Sequence, residues 1–204
     1  MSGSIKLKHA SGNGVTISAP SSNPAADRTL ALPSNADGTI LTTTFPKTGN
    51  IIQVQEFTKS DVVSAQPSST FTDISGFTTS ITPSSTSSKI LVIVMIFAVG
   101  GDTTALRLIR DSTSILQGDT VSGKEPVSAG VYQGNSSNGS NYYSLKPSTL
   151  TKLDAPSTTS AVTYKMQWKA SNASNVLYLN RNISDTNQYA FRTVSTITLM
   201  EVAG

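Results

Sequence analysis

Cysteine is absent from this 204-residue chain, which excludes a disulfide scaffold, thiolate metal ligation and a cysteine nucleophile together. Histidine occurs once, at His9, so a Ser-His-Asp relay or a histidine metal site would have to be built around that single ring. Charged residues are 13% and aromatics 6% of the chain, against about 25% charged in an average soluble domain. Ser, Thr, Asn and Gly fill the gap. The net charge is +3, and the basic residues are scattered singly or in pairs such as Lys6 and Lys8. Without a basic stripe, no nucleic-acid partner is expected. The one long apolar run, Ile90 to Val99, is about half the roughly 20 residues that cross a bilayer, so it reads as a core strand with no membrane insertion. Residues 1 to 20 lack the continuous apolar core of a secretory signal, because Lys6, Lys8 and His9 interrupt it. The expectation is a chain made and kept in a cytoplasm until assembly.

What is present is strand signal throughout. In the first forty-five residues short apolar pieces alternate with turn clusters at nearly even spacing: IKLKHA, SGNG, VTISAP, SSNPAADR, TLALP, SNADG, TILTTT. Ile5 and Leu7, Val15 and Ile17, Leu30 and Leu32, and Ile40 and Leu41 give each piece about two positions to bury. A segment of roughly 40 residues is too small for one hydrophobic core to stand alone. It needs partners, most simply copies of itself. Thr42 to Asn50 (TTTFPKTGN) combines Pro46 and Gly49 with small polar residues, which places a module boundary there. The expected domains are a β-repeat trimerisation and attachment segment over 1–45 and a knob over 46–204.

From Ile51 onward the expected strands are the Ile51 to Phe57 stretch, Phe71 to Ile74, Phe77 to Ile81, Lys89 to Val99, Ala105 to Arg110, Ser114 to Leu116, Val127 to Tyr132, Tyr142 to Leu145, Val162 to Ala170, Val176 to Asn180 and Thr193 to Val202. VTYKMQWKA alternates most clearly, with Val162, Tyr164, Met166, Trp168 and Ala170 on one face. Trp168 therefore reads as core. Helical periodicity over ten or more residues is absent, and turn signals recur every 8 to 12 residues or so, as in antiparallel sandwiches. The fold class is all-β, with the knob an antiparallel jelly-roll β-sandwich. In Lys89 to Val99 the residues Leu91, Val92, Ile93, Val94, Ile96 and Phe97 are apolar on both faces, whereas a two-sheet sandwich wets the outer face of each strand. A neighbouring protomer or a long loop must cover the second face. The lead segment's own need for copies favours the protomer, and a compact homotrimer satisfies both demands.

Candidate chemistry is sparse. Glycoside cleavage needs two positioned carboxylates, and Asp102, Asp111, Asp119 and Glu125 are the candidates. Most acids here fall in turns or at strand ends, where Asp bonds the local backbone, so catalytic, cofactor and metal residues are all set at none. His9 reads as a solvated or interchain hydrogen-bonding residue, with a metal ion shared by three copies as the sharper alternative. Arg107 and Arg110 lie on opposite faces of their strand, and one of them is expected to reach an acid across an interface. Asn-x-Ser sequons at Asn135, Asn138, Asn172 and Asn182 are chance products of an Asn- and Ser-rich chain. GNSSNGSN, residues 134 to 141, reads as a loop tip flanked by Tyr132, Tyr142 and Tyr143. Aromatic faces beside amides and hydroxyls can hold sugars, so Tyr132, Asn135, Asn138, Asn141, Tyr142 and Tyr143 are the candidate receptor contacts, against the plainer reading of tyrosines packed at strand edges. Tyr189, Phe191 and Arg192 form a second candidate patch.

The lead SGSIKLKHASGNGVTISAPSSNPAADRTLALPSNADGTILTTT, with its ISAP, RTLALP and GTILTT phrases, resembles the N-terminal repeats of virion structural and tail-fibre-like proteins of tailed phages, particularly those infecting marine cyanobacteria. The body is similar to the C-terminal domain of the same proteins through FTDISGFTTSITPSSTSSKILV, LRLIRDSTSILQGD, YKMQWKASNASNVLYLNR and STITLMEVAG. The likeness spans nearly the whole chain and is weakest over Val121 to Ser160. It implies a non-enzymatic homotrimeric fibre or spike protein whose jelly-roll head resembles the tumour-necrosis-factor fold, located in the virion. Expected partners are other copies of the chain, other virion proteins through the N-terminal segment, and a host-surface glycan or protein; no cofactor is expected. A head fibre or capsid decoration protein is the alternative, and a carbohydrate-active enzyme of the particle or a secreted lectin stands further off.

Overall fold

The computed structural model describes residues 4–18, 46–66, 70–100, 103–132, 143–172, 174–186, 188 and 190–204. Residue proximity divides the chain into two compact units, Met1–Ile40 and Leu41–Gly204. Among the described residues no helix is long and apolar enough to cross a membrane.

In the first unit, β1 (Ser4–Lys8) and β2 (Gly14–Ser18) form an antiparallel hairpin. Its five-residue loop closes when the His9 amide donates to the Asn13 carbonyl and the Gly12 amide to the His9 carbonyl. Gly12 sits at φ +112°, a conformation that glycine adopts without a side-chain clash.

The second unit is an all-β sandwich. One sheet runs in the order β11 (Ser148–Asp154), β6 (Lys89–Ile96), β14 (Ser195–Val202), β3 (Ile51–Lys59). The other runs β10 (Ala129–Val131), β8 (Thr104–Arg110), β12 (Val162–Ala170), β5 (Thr72–Ile81), with β9 (Thr113–Leu116) folded back on β8. The chain passes back and forth between these two sheets, staying in one only from β8 to β10, and pairs β3 with β14, which is jelly-roll connectivity. A third, small sheet joins β4 (Val63–Ala65), β13 (Leu177–Leu179) and β7 (Ala98–Gly100).

Alternation sets the core. Val162, Tyr164, Met166, Trp168 and Ala170 all point inward, as the sequence pattern requires, and share the core with Phe77, Leu106 and Leu108 of their own sheet and with Ile90, Val92, Val94, Ile96, Ile197 and Leu199 of the facing sheet. Fully burying each large apolar side chain stabilises by about 1.5–3 kcal/mol. Val92, Val94 and Ile96 therefore belong to the core of a single chain, not to an interface.

Four sequence expectations are corrected. Lys89 to Val99 is not one strand: it changes sheets at Phe97, with β6 in the four-stranded sheet and β7 in the small one. Phe71 to Ile74 and Phe77 to Ile81 are joined in one strand, β5, whose register with β12 shifts between Asp73 and Thr78, around Gly76 at φ +66°. Residues 143–145 form no strand, and β11 begins at Ser148 instead. Last, Arg107 and Arg110 both find acids within their own chain.

Polar groups hold the sheet change in place. Asn180 adopts φ +62°, a left-handed conformation that Asn tolerates better than most residues. Its Nδ2 donates to the Lys59 carbonyl at 2.8 Å and the Asp61 carbonyl at 3.0 Å. Its Oδ1 accepts from Ser195 Oγ at 2.7 Å, and that hydroxyl in turn accepts from the Phe97 amide at 3.0 Å. The Asn180 amide donates to the Phe97 carbonyl. One buried side chain thus ties β3, β6, β13 and β14 together.

Candidate functional site

The two large sheets of the sandwich present very different outer faces. On the sheet β10-β8-β12-β5, Arg107, Gln167 and Asp73 lie in register across β8, β12 and β5. Lys165 donates to Asp73 Oδ2 at 2.7 Å and Gln167 to Asp73 Oδ1 at 2.8 Å. Burial opposes ionisation of Asp73, but these two bonds and the Lys165 charge outweigh it and hold the carboxyl below its ordinary range. Glu125 accepts from both Arg107 and Lys169, and the bond from Lys169, with its charge, holds that acid low as well. The Arg107 guanidinium lies 3.8 Å from the centre of the Phe71 ring. Every charge on this face has a partner.

The outer face of β11-β6-β14-β3 is bare by contrast. Register pairs Leu153 with Leu91, Leu91 with Met200, and Met200 with Val54, an apolar row across all four strands. Leu153 is 48% and Val54 51% exposed, and Ile51, paired with Val202 at the end of the same face, is 56% exposed. The next row reads Thr151, Ile93, Thr198 and Glu56, and the next Thr149, Met95, Thr196 and Thr58. Among the described residues the only charges on this face are Glu56 on the edge strand and Lys89 at one end. Leu91, Ile93 and Phe97 are therefore part-open within one chain, whereas their neighbours in sequence are buried.

Two buried acids serve the sandwich itself. Asp154 accepts a two-pronged bond from Arg110 Nη1 (2.9 and 2.8 Å) and another from the Tyr164 hydroxyl at 2.8 Å. Burial, then the Asp154 carboxylate, push the Tyr164 phenol far above its usual range, so it stays a donor. Glu201, fully buried, accepts from Gln53 Nε2 and from the Ser84 amide and hydroxyl at 2.7 Å each. Burial pushes this carboxyl toward its neutral form, and the bonds from Gln53 and Ser84 prevail and hold it low.

The expected receptor contacts are divided. Tyr132, at the end of β10, is 68% exposed, and Tyr143 is 40% exposed. Asn135, Asn138, Asn141 and Tyr142 lie outside the described residues, as do Tyr189 of the second patch and Asp102 among the candidate acids. Phe191 is 64% exposed, and Arg192 pairs with Asp185 at 2.7 Å, which also meets Arg181. Arg181 stacks on Tyr178, 4.4 Å from its ring centre.

The remaining candidate acids have local roles. Asp111 turns the chain after β8 at φ +53°, its amide donating to the Thr163 carbonyl and its Oδ1 accepting from the Thr163 amide. His9 accepts the Ser11 amide on Nδ1 at 3.2 Å. Among the described residues no group of three or more His, Asp or Glu is placed to hold a metal ion.

No protein-family model and no curated protein matches the chain. Among solved structures it is similar to a chain in the structure of the infectious bursal disease virus Gx strain, at 13% sequence identity and a TM-score of 0.37. The match covers 93% of this chain and 52% of that one, so this chain spans about half the length of that neighbour.

Proposed function

We propose that this chain is a non-enzymatic structural protein of a phage virion, a tail fibre that assembles as a homotrimer and presents its jelly-roll knob to the host surface. The observation that carries the reading is the Leu153, Leu91, Met200, Val54 row with its threonine neighbours. A four-stranded face of this length offers on the order of 500 Å², whereas a stable pairwise interface needs about 800 Å² from each partner. A ring of three would be held by three such contacts, where a dimer has one.

Further support comes from where the charges go. Asp111 and Glu125, two of the acids that could have served hydrolysis, are taken up by a turn and by ion pairs. Exposed Tyr132 and Tyr143 flank the Asn-rich segment 133–142, which suits weak contacts to glycan or protein. Three such sites on one knob, repeated over several fibres, raise avidity far above any single affinity.

The test has two readouts. Light scattering on the full chain should give three times 21.4 kDa, and a monomer would overturn the trimer. Purified protein should compete with particles for host adsorption. If adsorption is untouched while particles lacking the protein become fragile, the head-decoration reading replaces the fibre.

A further inference from the structure

The hairpin β1–β2 carries an apolar face of its own. Its register sets Ile5 opposite Ile17 and Leu7 opposite Val15, so four aliphatic side chains stand on one face. They are 65%, 56%, 60% and 69% exposed in that order. Lys6, opposite Thr16, and Lys8, opposite Gly14, belong to the other face. A lone two-stranded hairpin is marginal in water, so this face needs a cover.

The size of the face decides what kind of cover. Two five-residue strands offer on the order of 150–200 Å², a small fraction of the roughly 800 Å² per partner that holds an independent complex together. A partner arriving from dilute solution would not stay. A surface already held nearby would, because tethering raises the effective concentration to about the millimolar range. The face also carries no charge, so identical faces can meet without like-charge repulsion.

We propose that the apolar faces of the β1–β2 hairpins of three copies of this chain close on one another, forming a small interchain core of Ile5, Leu7, Val15 and Ile17. The inference rests on the homotrimer reading above. The knob supplies the tether, and the hairpins lock the three chains to a common register. His9 and the loop to Asn13 then lie at the end of that core.

The absence of cysteine gives a clean test. Leu7→Cys and, separately, Lys6→Cys are introduced into the full chain and treated with a short bis-maleimide, since packed sheets lie about 10 Å apart, beyond disulfide reach. Leu7→Cys should give covalent dimer with a third copy left over, at least about tenfold more than Lys6→Cys, and its thiol should label more slowly. Ile17→Cys, on the same face, should repeat the result and serves if Leu7→Cys lowers the yield. Equal cross-linking at positions 6 and 7, or none at 7 and 17, in a protein of threefold mass would overturn the hairpin contact and leave the fibre reading standing. A monomeric mass for the unmodified chain would overturn both.

Discussion

The two outer faces of the sandwich are built from the same strand geometry and differ only in what alternates with the core residues. On β8 and β12 the outward positions are Arg107, Lys165, Gln167 and Lys169, each with a partner on its own chain. On β6 and β14 they are Leu91, Ile93, Met95, Thr196, Thr198, Met200 and Val202, with a charge only at the strand end, Lys89. Water can solvate the first face without loss. The second leaves aliphatic surface wet that a strand-by-strand choice of polar residues would have avoided, and such a choice was made on the other sheet of the same protein. An unpartnered apolar face beside a fully paired polar one is the side that the proposed homotrimer would cover.

Substitutions can break this comparison at each of its levels, and the largest effect belongs to the inner face. Val94→Asp puts an unpaired charge between Leu150 and Ile197, both buried, and should leave no folded protein, as seen in soluble yield and near-ultraviolet circular dichroism. Met200→Asp, one strand away but on the bare face, should keep the same spectrum while the mass falls to 21.4 kDa. Retention of threefold mass in that variant would mean that the bare face is not the contact.

Acid acts on the sandwich through Glu201. Its folded pKa lies below the ordinary 4.5, so its ionisation stabilises fully above that value and the contribution is lost as pH falls through the lower folded value. Urea midpoints should therefore decline below about pH 4.5, and Glu201→Gln should flatten that part of the decline. The smallest effect is expected on the polar face. Arg107→Ala removes the stack on Phe71 and one bond to Glu125, which should cost about 1 kcal/mol in chemical denaturation and leave the mass unchanged.

How far the sequence foretold this depends on which interaction placed each residue. β12 was legible because five core side chains alternate with four polar ones without exception. β11 was not, because only Leu150 in STLTKLD is a buried hydrophobe, and the strand's other inner anchor is Asp154, a buried acid whose partners Arg110 and Tyr164 lie on other strands. The sheet change at Phe97 was hidden for the opposite reason. Residues on both sides of it are apolar, and the signal sits in Asn180 and Ser195, about a hundred residues away in sequence. Tyr132 and Tyr143 are exposed as a rim requires, but exposure alone does not distinguish a strand-edge tyrosine from a ligand contact.

The corner where the chain leaves one layer for the next depends on an amide and a hydroxyl, with no ionised side chain in the Asn180–Ser195–Phe97 linkage. Neutral bonds of this kind are indifferent to the dissolved ions that weaken exposed pairs such as Arg192 with Asp185. Brine should therefore loosen the molecule's rim and leave that joint as it was.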